Sequence, residues 1–235
     1  MTSLREIQSR VNGLKTTEKI TTVMKMIAIT KYRKLSQIFP KNQAFVEQFQ
    51  KTKQYFKPVR KGNKKYLVTF EPARGLCSSL NTKFARFLRD KYQDYSIISI
   101  KDNEIKPLDF FEKIVGKMDD FSEIKIAYIH FASTSRHLVQ EDTLFPWAYD
   151  EGRDFYVMNE AFNYEAWLKR YLALSLNNAF LSTQISENAA RMLAMDSASK
   201  NAEELIRELK LSYNKKRQEM ITKEIAETGC SVYGE

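Results

Sequence analysis

The sequence predicts an α/β protein with two parts. One is a long antiparallel coiled coil of the N- and C-terminal helices. The other is a small α/β domain with a mainly parallel sheet. Three observations carry this expectation. No glycine or proline occurs between Gly152 and Gly229. All five prolines fall between Pro40 and Pro146, so both ends are free of them. Between the ends, short β-rich runs alternate with helical ones. Strand and helix alternating at this spacing indicate a parallel sheet with crossover helices. The expected boundaries are 1–60 for the first helix and its linker, 61–152 for the α/β domain, and 153–235 for the long C-terminal helix and tail.

The first helix is expected from Ser3 to Phe39. Ser3 and Glu6 have the spacing of a capping box, and Pro40 is the predicted stop because it lacks a donor and clashes with the preceding turn. Leu4, Ile7, Val11 and Leu14 form a heptad seam. Ile20, Met24 and Ile27 read as the same seam resumed in a shifted register. Gly13 lies inside and costs about 1 kcal/mol relative to alanine.

In the middle, Lys65–Phe70, Ser96–Ile100 and Ile124–Phe131 are predicted strands, with His137–Leu144 able to pair with the last. Leu80–Tyr92 and Leu108–Lys117 are predicted helices. In the C-terminal run, Ala190, Ala194, Ala198, Ala202, Leu205 and Leu209 form a seam whose small residues suit close helix approach. Gly229 is the predicted end of that helix. Even ~60 helical residues make a rod of about 90 Å, which its own small domain cannot cover. It requires another surface.

Composition narrows the function. The formal net charge is +9, which favours an acidic partner. No apolar run approaches the ~20 residues of a membrane span, and Arg5 and Glu6 interrupt any signal-like start. Two cysteines and two histidines leave little to build a metal site from. There is no phosphate-binding or dinucleotide-binding glycine motif and no GxSxG turn. Cys77 follows the first strand, where α/β folds often place binding groups, but neither His130 nor His137 is near it in sequence to activate it. Neither a catalytic residue nor a cofactor or metal site is expected. The charge pattern leaves open a coiled-coil adaptor or nucleic-acid-binding rod with an α/β head. Interspersed glutamates such as Glu203, Glu204 and Glu208 dilute the basic field that DNA binding needs.

Three blocks carry a family resemblance. MTSLREIQSRVNGLKTTEKITTVMKMIAITKYRKL resembles the N-terminal helix of the gamma subunit of F-type ATP synthase. ARGLCSSLN (73–81) resembles a loop of that family, and SENAARMLAMDSASKNAEELIRELKLSYNKKRQEMITKEIAE (186–227) resembles its C-terminal helix. The resemblance implies a central-stalk rotor with a Rossmann-like domain, turning inside a ring of alpha and beta subunits. It implies contacts with the epsilon subunit and the membrane rotor ring, coupling of proton translocation to ATP synthesis or hydrolysis, and neither nucleic acid nor a membrane span. It implies a peripheral membrane protein on the cytoplasmic face of a bacterial inner membrane, or the matrix side for a processed organellar chain. By position, Met24, Lys25, Arg191, Arg217, Gln218, Thr222, Glu224 and Glu227 match contacts with the ring, and Arg74, Gly75 and Cys77 match a structural loop. The chain departs from the family pattern at Ala73, at Ser78 and Ser79 (usually glycines), at Thr22 (usually lysine) and in its polar tip.

Overall fold

A computed structural model describes residues 3–53, 55–58, 62–72, 75, 80–89, 91–101, 104–118, 120–148 and 163–232, with side chains to 227. The chain divides into two compact units. One comprises 1–27 with 192–235, and the other 28–191. Two long helices, α1 (Leu4–Lys53) and α4 (Tyr164–Val232), contribute to both.

The first unit is a helix pair. Glu6 N–H donates to Ser3 Oγ at 3.2 Å, half of the capping box that starts α1. Leu4, Ile7, Val11 and Leu14 turn inward as the heptad predicts. The seam then continues unshifted through Glu18, Thr21 and Lys25, and Ile20 and Ile27 stay exposed. The reason is geometric. A 3.5-residue repeat keeps facing its partner only if it is unbroken, and Thr21 and Lys25 are satisfied in the seam. Thr21 Oγ1 bonds the Glu18 carbonyl, and Lys25 reaches Asp196. On α4 the regular inward series is Met195, Ser199, Ala202, Ile206, Leu209, Tyr213 and Lys216, with Ala194 and Ala198 of the predicted seam half-buried beside it. Leu205, expected in the seam, is 47% exposed; the alternating 3-and-4 spacing selects Ile206. Thr22 Oγ1 meets Ser199 Oγ at 3.2 Å and Lys25 meets Asp196. Numbers rising on α1 fall equally on α4, so the pair is antiparallel. Gly229 does not end α4, which continues to Val232; a glycine within a helix costs only about 1 kcal/mol.

The second unit holds the sheet. β1 (Lys64–Phe70), β2 (Ser96–Ile100), β3 (Phe121–Phe131) and β4 (His137–Phe145) lie in the order β2-β1-β3-β4. β1 runs parallel to β2 and β3, and β4 returns antiparallel to β3. α2 (Leu80–Leu88) and α3 (Leu108–Gly116) are the short crossover helices. β1 is buried on both faces. Tyr66, Val68 and Phe70 pack with Phe111 and Val115 of α3 and with Leu172, Leu176 and Phe180 of α4. Leu67 packs with Leu80 and Phe84 of α2, with Ile129, and with Ala190 of α4. Two covered faces explain why consecutive residues from Tyr66 to Phe70 are all buried.

α1 does not stop at Pro40 but runs through it to Lys53. The missing backbone bond and ring clash cost about 3 kcal/mol. Burial on both sides of the proline offsets that cost: Leu35 packs with Leu181 and Ile185, and Val46 is buried further along. α4 starts on a capped turn. Asn163 Oδ1 accepts from Ala166 N–H at 3.0 Å, satisfying a donor that has no partner within the helix.

Candidate partner-contact site

The sequence-predicted contact residues fall in both units. In the coiled coil, Met24 and Lys25 are half-buried. Lys25 Nζ bonds Asp196 Oδ1, and Lys200 Nζ bonds Asp196 Oδ2 at 2.8 Å. Hydrogen bonds from Lys200 and then Lys25 hold the Asp196 carboxyl at about 2. Lys25 therefore ties α1 to α4, and the surface at this level is apolar. Ile20 (54% exposed), Val23 (55%), Met26 (62%) and Ile27 (52%) face solvent. At 100° per residue these four occupy neighbouring positions on one side of α1. The pattern signal was present in the sequence as more apolar positions than a two-per-heptad seam can bury. Ile20 and Ile27 were instead expected inside.

Farther along α4, the register set by Thr22–Ser199 and Lys25–Asp196 brings Leu4 opposite Arg217. From Arg217 to Glu227 every residue is exposed. Arg217, Gln218, Thr222, Glu224 and Glu227 all lie on this stretch, with Met220, Ile221 and Ile225 exposed among them. Thr222 Oγ1 donates to the Gln218 carbonyl at 2.9 Å, and Lys223 pairs with Glu227 at 3.6 Å. The polar side chains that these bonds engage are held along the helix itself.

Arg191 belongs to the sheet unit and is placed differently. Its guanidinium pairs with Glu187 one helical turn earlier, and the two side chains are 12% and 2% exposed. It also lies 3.5 Å from the Gly75 carbonyl and from Asn188 Oδ1. The guanidinium thus lies beside Gly75, on the loop after β1, while its short bond is to Glu187 on α4 itself. Arg74 and Cys77 lie outside the described residues. A cleft of about 300 Å³ in this unit is bordered by Lys53, Tyr128, Asp142 and Tyr171, and none of the candidate residues lines it. Among the described residues, no helix is long and apolar enough to cross a membrane.

Comparison with known proteins agrees with this geometry. The family model described as ATP synthase matches residues 3–108 and 100–229. The ATP synthase gamma chain of Clostridium perfringens is 28% identical, with 95% of each chain covered. That of Malacoplasma penetrans is 28% identical over the whole of both chains. Among solved structures, a chain of the Euglena gracilis mitochondrial ATP synthase in rotational state 3 superposes with a TM-score of 0.73 at 17% identity, covering 98% of this chain and 93% of that one. A chain of the rotor of the same enzyme in rotational state 1 gives 0.66 at 16% identity, covering 93% and 98%. With an antiparallel helix pair, a small mostly parallel sheet and family matches that together span most of its length, the chain belongs to the ATP synthase gamma-chain family.

Proposed function

We propose that this chain is the central-stalk rotor subunit of an F-type ATP synthase. In this role it turns inside a ring of alpha and beta subunits and couples proton translocation to ATP synthesis or hydrolysis. It contributes no catalytic site of its own. The observation that supports this most directly is the helix pair of the first unit. A stiff rod with an exposed apolar stripe at Ile20, Val23 and Ile27, and an exposed α4 stretch beyond Arg217, suits a surface that slides within a surrounding collar. Apolar contact is non-directional, so no single angle of rotation is trapped.

On this reading Met24 and the neighbouring stripe meet the ring, with Lys25 supporting them from the seam. Arg217, Gln218, Thr222, Glu224 and Glu227 meet the ring nearer the tip. Arg191 acts through the loop containing Arg74, Gly75 and Cys77. The sheet unit faces the epsilon subunit and the membrane rotor ring. The complex sits peripherally on the cytoplasmic face of a bacterial inner membrane, or on the matrix side in an organelle.

The test is a pull-down of the tagged chain from native membranes with identification of the captured subunits. Alpha, beta and epsilon subunits in stable proportion are expected. A chain recovered alone, or with nucleic acid in a salt-sensitive complex, would refute the proposal.

A further inference from the structure

α4 packs against β3 beyond the point where its pairing with β1 ends. β1 pairs with β3 only as far as Thr69 opposite Ala127, while β3 continues to Phe131. On the side vacated by β1, the backbone groups of Ile129 and Phe131 need partners. Two hydroxyls of α4 supply them. Ile129 N–H donates to Thr183 Oγ1 at 3.1 Å. Phe131 N–H donates to Ser182 Oγ at 3.0 Å, and that hydroxyl donates to the Ile129 carbonyl at 3.1 Å. The flanking helix turns are buried although polar: Gln184, Ser186, Glu187 and Asn188 are all inside. An apolar helix face would have packed there without these costs of desolvation.

We propose that Ser182 and Thr183 form the joint that fixes the rotational phase and axial position of α4 on the sheet, and that torque enters the shaft there. This rests on the rotor reading above. The physical reason is directionality. Apolar side chains tolerate sliding and rotation past one another, whereas a hydrogen bond weakens steeply once its angle is lost. Three such bonds between adjacent helix residues and one strand edge resist a twist of α4 about its own axis. α4 continues unbroken from this joint to Val232. Ser182 and Thr183 are positioning residues; neither need touch a partner subunit.

The test compares S182A/T183V with S182T/T183S, which retains both hydroxyls. In the isolated chain, hydrogen exchange at Ile129 and Phe131 is expected to rise about tenfold or more in S182A/T183V, with Ile124–Ala127 unchanged and S182T/T183S close to wild type. In the assembled enzyme in proteoliposomes, S182A/T183V is expected to hydrolyse ATP while pumping fewer protons per ATP, and S182T/T183S to restore the ratio. Unchanged exchange at Ile129 and Phe131 would overturn the joint. Faster exchange with an unchanged pumping ratio would overturn its role in torque, while the rotor reading would stand. If the wild-type chain enters no such complex, the rotor reading fails and the torque role with it.

Discussion

Replacing Arg191 by methionine tests the interior of the sheet unit. The substitution keeps length and removes the guanidinium facing Glu187. An exposed ion pair contributes 0 to about 1 kcal/mol, but breaking a buried one costs about 3–5 kcal/mol because a charge is left without its partner. Glu187 is 2% exposed and Arg191 12%, which places this pair near the buried limit. The 3.5 Å approach to Gly75 is long and adds little. A loss of about 3 kcal/mol is therefore expected. Equilibrium urea unfolding followed by tryptophan fluorescence measures it directly, because Trp147 and Trp167 both belong to this unit. With a slope of about 2 kcal/mol per molar urea, the midpoint should fall by roughly 1.5 M. Glu187→Gln combined with Arg191→Met should recover part of the loss, since the buried side chain at 187 is then neutral. A midpoint shift below about 0.3 M, or a double variant whose loss is the sum of both single losses, would refute the reasoning.

Three further outcomes follow from the structure. Burial opposes the charge of Glu141, but hydrogen bonds from Lys91, Tyr92 and Lys125 outweigh it and hold the carboxyl at about 2, below its ordinary 4.5. Its contribution is complete above pH about 4.5 and fades as pH falls toward about 2, so an acid titration of Glu141→Gln should show a shallower loss of stability across that window. At Gly62 an added Cβ would lie 2.2 Å from the Asp120 carbonyl oxygen, the atom that accepts Lys64 N–H at the start of β1. Gly62→Ala should therefore cost about 1–3 kcal/mol in the same urea assay. Ile20→Ser with Val23→Ser removes an exposed stripe, so unfolding of the isolated chain should change by less than about 0.5 kcal/mol per site. Capture of the alpha and beta subunits, or coupled activity of the assembled enzyme, should fall clearly, and full retention of both would count against that stripe as contact surface.

Local pattern was sufficient for elements whose hydrophobic faces repeat regularly. SIISI and IKIAYIHF were legible as strands because they are short runs rich in β-branched residues, and Leu4, Ile7, Val11 and Leu14 were legible as a seam because period and burial agree there. Pro40 misled because its local preference was outweighed by Leu35 and Val46 packing on either side of it. Ile20 and Ile27 misled because an apolar residue reads as an inside residue, whereas an unbroken heptad placed Thr21 and Lys25 there, Thr21 bonded to the Glu18 carbonyl of its own helix and Lys25 to Asp196 of α4. The Asp196 tie and the enclosure of Arg191 depend on residues distant in sequence, or on burial by other elements. Neither leaves a periodic trace.

The sequence by itself determined that long helices flank an α/β middle, and it determined the family, since these rest on periodicity, on the placement of glycine and proline, and on long specific blocks. Only the tertiary structure decided which apolar stripe of α1 faces α4 and which faces outward. It also decided that α4 satisfies the open edge of β3 through Ser182 and Thr183. Each depends on which backbone donors and which faces remain unpaired after the elements have packed, and that is a property of the assembled fold.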